Sequence, residues 1–249
     1  MIGFDRDPAR AEKARQLGIV DEVARDAKSA ASGAELLIVA VPVRAIVDVI
    51  REAAPPAGCV VTDVGSTKGR IVREVEAFLA DRFVGSHPLA GTEYTGPEAA
   101  DRWLFRDRVT FVTPTARTRP EVADAVESLW RIAGARPARI EATRHDDLMA
   151  AVSHLPHAVA YALTSAIADF GPEAVGLTSG GFRDTTRIAS SDPIMWRDIF
   201  LDNRAPVMAM LERFEEHFAR LRALIEAGDA AGLEHELGRI RDERRRILG

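Results

Sequence analysis

Apolar residues in the first half of the chain alternate between short continuous runs and helical spacing. Residues 35–41 form a nearly unbroken run that ends at Pro42, which is typical of a parallel strand covered on both faces. Residues 58–64 form a second run, and residues 83–84 begin a third. Between the runs, apolar residues recur three and four positions apart, as on amphipathic helices. This alternation predicts an α/β fold of the Rossmann type, with a mostly parallel sheet, in residues 1–141.

The two ends of the chain differ in pattern. Residues 1–5 resemble the end of a strand, and Asp7 and Pro8 are suited to cap and begin a helix that runs to Gln16. Strand patterns end near residue 141, so residues 142–249 are predicted to form a second, all-helical domain. An apolar seam in this domain packs either within the chain or against a second copy, and its spacing does not distinguish the two. The seam consists of Val207, Met210, Leu211, Phe214, Phe218 and Leu221.

Composition narrows the class of ligand. The 249 residues carry a formal net charge of −5 with 47% hydrophobic residues, which provides no basic surface for nucleic acid and indicates small ligands. Cys59 is the only cysteine, so an internal disulfide is excluded and a reducing compartment is favoured. No apolar run reaches the roughly 18 residues of a membrane helix, and no signal peptide is recognisable. The sequence therefore predicts a cytoplasmic protein without a membrane partner.

A histidine follows the third apolar run. Residues 85–93 (GSHPLAGTE) place His87 among small residues, where the strand is expected to end at the carboxyl edge of the sheet. Histidine is the most frequent general acid or base, although a histidine in a simple turn is an equally good interpretation of this segment alone. Loops at residues 41–43, 65–68 and 86–93 should converge at that edge. They predict a ligand site around His87.

Two further segments carry candidate chemistry. His154 and His157 are three residues apart, but Pro156 predicts a kinked or broken helix, so we expect one core histidine and one facing a cleft, with no metal. Residues 180–189 begin with a glycine pair that should interrupt a helix. Arg187 in this segment is suited either to clamp a carboxylate or to pair with Asp184 on the same helix.

Together, four segments resemble the prephenate dehydrogenase family of tyrosine biosynthesis: residues 63–69 (DVGSTKG), 85–93, 153–157 (SHLPH) and 181–198. They occur in the same order and at comparable separations over essentially the whole chain. The resemblance implies a Rossmann-type domain followed by a helical dimerisation domain. It also implies NAD-dependent oxidative decarboxylation of prephenate to 4-hydroxyphenylpyruvate by a homodimer.

The resemblance also implies roles for individual residues. His87 matches the catalytic histidine and Ser66 the serine that assists it, while Arg187 matches the arginine that binds a substrate carboxylate. Asp5 matches the ribose-binding acid of the cofactor site, which Arg6, Val41, Pro42 and Ser66 are expected to complete. Further positions match residues that line or order the substrate pocket: His157, Thr92, Glu93, Asp184 and Gly180.

The N-terminus departs from the family pattern. The family has a first strand and a glycine-rich turn for the pyrophosphate, whereas this sequence begins at the second strand. We therefore expect a shortened chain that binds NAD very weakly, with NAD preferred over NADP because Asp5 would repel a 2′-phosphate. Arogenate is an alternative substrate. A non-catalytic dimeric remnant and a generic 2-hydroxyacid dehydrogenase are alternative functions, the second of which would not need residues 181–198.

Overall fold

The computed structural model describes residues 1–91 and 96–249. Seven short strands precede a long helical segment; the order of strands before helices was predicted, but the strand at Glu22–Val23 was not. The strands are β1 (Ile2–Gly3), β2 (Glu22–Val23), β3 (Leu36–Val39), β4 (Val60–Asp63), β5 (Phe83–Pro88), β6 (Val109–Thr113) and β7 (Arg136–Arg139). The helices between them are α1 (Pro8–Gln16), α2 (Ala27–Ala31), α3 (Ile46–Ala53), α4 (Gly69–Leu79) and α5 (Pro120–Ile132).

The strands form two separate sheets in the part of the chain that the structure describes. Strands β1 and β2 pair in parallel, and the other five follow the order β3-β4-β5-β6-β7. Strands β3, β4 and β5 are parallel to one another, β5 and β6 are antiparallel, and β6 and β7 are parallel. The predicted Rossmann-type, mostly parallel architecture is confirmed, with the β5–β6 pair as its exception.

The antiparallel pair corrects the expected position of His87. We expected the third strand to end before this histidine, but β5 continues to Pro88 because β6 pairs with its carboxyl half, with Ser86 opposite Val112 and His87 opposite Phe111. The histidine is consequently held by a sheet. Its backbone is more constrained than that of a loop residue.

Two apolar clusters cover the large sheet. One contains residues of α3 and α4 such as Ile46, Ile50 and Ile71, all without solvent exposure, and also includes Trp196 from the helical segment. The other contains residues of α5 packed against β5 and β6, among them Val126 against Val84. Burial of apolar surface in these clusters fixes the helices on the strands and so fixes the edge at which the strands end.

Beyond Ala142 the described chain is helical. The helices are α6 (Ala142–Met149), α7 (Leu155–Phe170), α8 (Pro172–Val175), α9 (Gly180–Thr186), α10 (Pro193–Asp202), α11 (Arg204–Glu226) and α12 (Ala230–Leu248). A π-helical segment, Ala150–His154, separates α6 from α7, and Pro156 lies in the first turn of α7. The predicted interruption at this proline is confirmed. The glycine pair does not break a helix as predicted, because Gly180 and Gly181 form the first turn of α9.

By internal packing the chain forms two compact units, Met1–Arg204 and Ala205–Gly249. The second unit contains most of α11 together with α12, and its Phe214 and Phe218 rings stack with centroids 6.0 Å apart. Phe218 is 58% exposed. None of the helices among residues 1–91 and 96–249 has the length and apolar character needed to span a membrane.

Candidate active site

A cavity of about 440 Å³ opens at the carboxyl ends of the parallel strands. Ile38 and Ala40 contribute from β3 and its end, Ser66 from the segment after β4, and His87 from β5. The remaining wall is apolar and includes Phe105 and Trp130. Of the three loops predicted to converge, those at residues 65–68 and 86–93 contribute Ser66 and His87 to this cavity, whereas residues 41–43 do not line it.

His87 is the titratable group in this wall with the most altered environment. Burial lowers the pKa of its imidazole well below the ordinary value of 6.5, and the neighbouring charges of His145 and Lys68 lower it further. Its Nδ1 atom lies 2.9 Å from Nε2 of His145. A neutral imidazole at pH 7 can accept a proton, so His87 has the protonation state that a general base needs.

The segment between β4 and α4 divides its side chains between the cavity and the interior. Ser66 lines the cavity, but Thr67 and Lys68 have no solvent exposure. Lys68 forms an ion pair with Asp63, whose carboxylate also accepts the backbone N–H groups of Gly65 and Ser86. Of residues 65–68, which were predicted to form a loop at the ligand edge, Ser66 lines the cavity, and Lys68 lies inside, where it neutralises Asp63.

Two acidic residues of the helical segment hold the same loop. Asp146, in α6, accepts hydrogen bonds from the backbone N–H groups of Lys68 and Gly69, each at 2.7 Å. Asp202, at the end of α10, accepts hydrogen bonds from the Thr67 hydroxyl and the Arg70 guanidinium. Asp146 thus caps the start of α4 from outside its own sequence, and Asp202 holds side chains on either side of that start. Sequence analysis missed both residues, because contacts made from 77 and 135 residues away leave no local pattern.

The paired histidines differ in burial, and the core histidine that was predicted is His154. His154 is 1% exposed, and burial lowers its pKa to about 4. His157 is half-buried and stacks on Trp196, with ring centroids 3.5 Å apart. Burial also lowers the pKa of His157, and the positive charge of Arg187 lowers it further, which places Arg187 near this ring. Among the described residues no group of three or more His, Cys, Asp or Glu side chains is arranged to hold a metal.

Three other predicted substrate residues, Gly180, Asp184 and Arg187, lie on α9 and the turn that follows it. Arg187 begins a 3-10 turn, Arg187–Ser190, and its side chain forms no ion pair with Asp184 within the described chain. Asp184 and Gly180 are exposed on α9. Thr92 and Glu93 lie outside the described residues. Ser66 and His87 thus line the same cavity, and the charge of Arg187 acts on His157.

The residues predicted to bind the cofactor lie at strand ends. Asp5 follows β1, is exposed, and accepts the backbone N–H of Asp7 at 2.8 Å through one carboxylate oxygen. Arg6 beside it is also exposed, and Val41 and Pro42 follow β3. These positions suit the ribose and nicotinamide ends of a dinucleotide. No glycine-rich turn for the pyrophosphate connects a strand to a helix among residues 1–91 and 96–249.

Comparison with known proteins agrees with this geometry. Residues 1–138 match the family model described as prephenate dehydrogenase, nucleotide-binding domain. Residues 141–239 match the model described as prephenate dehydrogenase, dimerization domain. The two matches together cover nearly the whole chain.

Individual proteins similar to this chain are also dehydrogenases of this kind. A cyclohexadienyl dehydrogenase of Zymomonas mobilis is 33% identical, over 91% of this chain and 80% of the relative. A prephenate dehydrogenase of Bacillus subtilis is also 33% identical, over 94% of this chain but only 65% of the relative, so the chain spans about two thirds of that protein.

Solved structures extend the comparison to the fold. The prephenate dehydrogenase of Aquifex aeolicus, in complex with hydroxyphenyl propionate and NAD+, superposes with a TM-score of 0.92 at 36% identity, covering 99% of this chain and 88% of the other. The arogenate dehydrogenase of Synechocystis superposes with a TM-score of 0.83 at 28% identity, covering 99% and 91%. Family models and relatives agree with the strand-end cavity, and the chain belongs to the prephenate dehydrogenase family of NAD-dependent oxidoreductases.

Proposed function

We propose that this chain catalyses the NAD-dependent oxidative decarboxylation of prephenate to 4-hydroxyphenylpyruvate. The observation that carries the proposal is His87, a buried imidazole with a lowered pKa in the wall of the strand-end cavity, beside Ser66. A base of this kind is what removal of a hydroxyl proton requires. Family membership supplies the substrate class.

The chemistry assigns one proton to His87. The ring carbon that bears the hydroxyl loses a hydride, and the hydroxyl proton passes to His87 as the carbon–oxygen double bond forms. The bond to the ring carboxylate then breaks, carbon dioxide leaves, and its electron pair makes the ring aromatic. The phenolate oxygen regains the proton, so no net proton is released. Bound NAD would supply the hydride acceptor, and Ser66 would hydrogen-bond the same hydroxyl.

Substrate positioning is assigned to residues of the helical segment. Prephenate carries two carboxylates, and Arg187 presents an exposed guanidinium near His157, which supports carboxylate binding by this arginine. Stacking on Trp196 restricts the His157 ring to one orientation. We further assign Thr92, Glu93, Asp184 and Gly180 to the pocket, on the family resemblance alone.

Cofactor binding is assigned to Asp5, Arg6, Val41, Pro42 and Ser66. Asp5 has one carboxylate oxygen engaged by Asp7 and is exposed at the end of β1, which suits hydrogen bonds to ribose hydroxyls. The Asp5 carboxylate can accept a hydrogen bond from a 2′-hydroxyl, but it would repel the negative charge of a 2′-phosphate. NAD is therefore the proposed cofactor, with NADP disfavoured.

Arogenate is the second candidate substrate. It differs from prephenate by an amine in place of the side-chain ketone, and relatives of this chain include a protein named as an arogenate dehydrogenase and one named as a cyclohexadienyl dehydrogenase. The ratio of kcat/KM for the two substrates decides between them.

The decisive experiment follows NADH absorbance with prephenate or arogenate as substrate. His87→Asn should lower kcat by about 10²-fold or more with little change in NAD affinity, because only the proton acceptor is lost. His235→Asn is the matched control, since His235 is exposed on α12. Unchanged turnover in the His87 variant would remove this residue as the base, and no NADH with either substrate would refute the proposed reaction.

We also propose a cytoplasmic homodimer with no nucleic-acid partner. The matched model for residues 141–239 is a dimerization domain, and the second compact unit exposes apolar side chains such as Phe218 and Ile225. The net charge of −5 and the single buried Cys59 support the other two assignments. Light scattering should give twice the chain mass, and a stable monomer at micromolar concentration would contradict the dimer.

A further inference from the structure

The proposed base lies at one end of a chain of three hydrogen-bonded side chains. Nδ1 of His87 is 2.9 Å from Nε2 of His145, and Nδ1 of His145 is 2.8 Å from Oδ1 of Asp146. His145 has no solvent exposure and Asp146 is 7% exposed. Both belong to α6, whereas His87 belongs to β5. His145 of the helical segment therefore contacts His87 at Nδ1, which leaves Nε2 of His87 free of this contact.

The hydrogen-bond acceptors among these three side chains determine which ring nitrogens of His145 and His87 carry a proton. Asp146 accepts two backbone N–H groups, from Lys68 and Gly69, as an ionised carboxylate does, and a carboxylate can only accept. His145 must then donate from Nδ1, which leaves its Nε2 as an acceptor. His87 must in turn donate from Nδ1. The unprotonated nitrogen of His87 is therefore Nε2.

We propose that Asp146 and His145 are positioning residues that hold His87 in the tautomer with a free Nε2. This inference deepens the proposed function and rests on it for its catalytic meaning. Asp146 acts through His145 and does not itself touch His87. It combines two tasks, since the same carboxylate caps α4 and thereby holds the loop that carries Ser66.

Packing around the three residues leaves little freedom for another arrangement. Phe111 lies edge-on to His145, with ring centroids 5.5 Å apart. Asn203 donates to the backbone carbonyl of Asp146 at 2.8 Å and to Nδ1 of His154 at 3.1 Å. The ionisable groups that act on His87 are His145, Lys68 and His154. Burial and the positive charge of Lys68 disfavour imidazolium at His87, while Asp146 supplies the negative charge at the far end of the three hydrogen-bonded side chains.

Asp146→Asn is expected to reverse the direction of the donors among these three side chains. Oδ1 of Asp146 faces both Nδ1 of His145 and the backbone N–H of Lys68, so an amide nitrogen in its place removes an acceptor from Lys68 and makes Nδ1 of His145 an acceptor. Nε2 of His145 then becomes the donor. Nδ1 of His87 must then accept, and the proton of His87 moves to Nε2. That tautomer has no lone pair with which to accept the substrate proton.

The direct test measures the tautomer without substrate or cofactor. In 15N-histidine-labelled full-length chain near pH 7.5, two-bond 15N–1H correlation should show His87 protonated at Nδ1, with the signal assigned by its loss in His87→Asn. Asp146→Asn should move the proton to Nε2. Asp202→Asn is the matched control, because Asp202 holds the same loop through Thr67 and Arg70 without contacting either histidine, and it should leave the His87 tautomer unchanged.

Kinetics then tests the catalytic meaning. Asp146→Asn should lower kcat by about 10²-fold or more with KM and NAD affinity nearly unchanged. In Asp202→Asn, kcat/KM should fall at the same acidic pH as in the wild type. Protonation of His87 at Nε2 in the wild type, or the same tautomer in Asp146→Asn, would overturn the proposal. A changed tautomer with unchanged kcat would overturn it as well. If no substrate is turned over, the proposed function fails while the tautomer measurement still decides the arrangement of protons.

Discussion

Lys68 and Asp63 form an ion pair in which neither side chain has any solvent exposure. The pair lies directly under the segment that presents Ser66, and Asp63 also binds the backbone N–H groups of Gly65 and Ser86. One carboxylate thus ties the end of β4 to the middle of β5. The positions of Ser66 and His87 depend on it.

Removal of the lysine charge should be costly. Lys68→Met leaves Asp63 charged and uncompensated in the interior, so we expect the free energy of unfolding to fall by about 3 to 5 kcal/mol. Arg51→Met removes one partner of an exposed pair with Asp48 and should cost no more than about 1 kcal/mol. Urea denaturation of both variants measures the difference. Equal stability of the two would show that the buried pair is dispensable.

The fall of kcat/KM at low pH should occur below pH 6.5, the ordinary pKa of a histidine. His87 is active when neutral, and kcat/KM falls as the pH drops through its pKa. Because burial and the neighbouring positive charges hold that pKa well below 6.5, kcat/KM at pH 6.5 should stay close to its value at pH 7.5. A profile measured from pH 4.5 to 8 checks this. Half-maximal kcat/KM at pH 6.5 or above would contradict the buried environment of His87.

Arg187 should act on substrate binding. Arg187→Ala removes a charge-assisted pair with a carboxylate, a loss of about 1.5 to 3 kcal/mol that corresponds to about a 10- to 150-fold rise in KM for prephenate. Arg241→Ala, on the exposed surface of α12, is the control and should leave KM unchanged. Steady-state kinetics with varied prephenate separates KM from kcat. An unaltered KM in the Arg187 variant would assign this arginine a structural role.

Asp5 should select the cofactor. Asp5→Asn removes the charge that would repel a 2′-phosphate, so the preference for NAD over NADP should fall by about tenfold, the value of one charge-assisted hydrogen bond. Asp7→Asn is the control, because asparagine preserves the cap that Asp7 provides to α1.

Calorimetric titration of both cofactors measures this preference. Equal affinities for NAD and NADP would remove Asp5 as the discriminator.

The sequence by itself determined the α/β alternation, the change to helices near residue 142, the cap at Asp7 and the interruption near Pro156. These features arise from side chains a few positions apart, whose spacing and hydrogen-bonding capacity are visible in a linear pattern. The family motifs likewise marked Ser66, His87, His157 and Arg187 because their neighbours in the chain are distinctive.

Only the tertiary structure decided which side chains meet across long separations. The antiparallel partner that extends β5 through His87, the inward turn of Lys68, the cap from Asp146 and the side-chain contacts of Asp202 join residues 5 to 135 positions apart. His145 and Asp146 appear in the sequence as ordinary residues of an amphipathic helix. His145 meets His87, and Asp146 meets His145, because burial of apolar surface brings α6 against the sheet. A contact produced by packing has no signature in the order of residues.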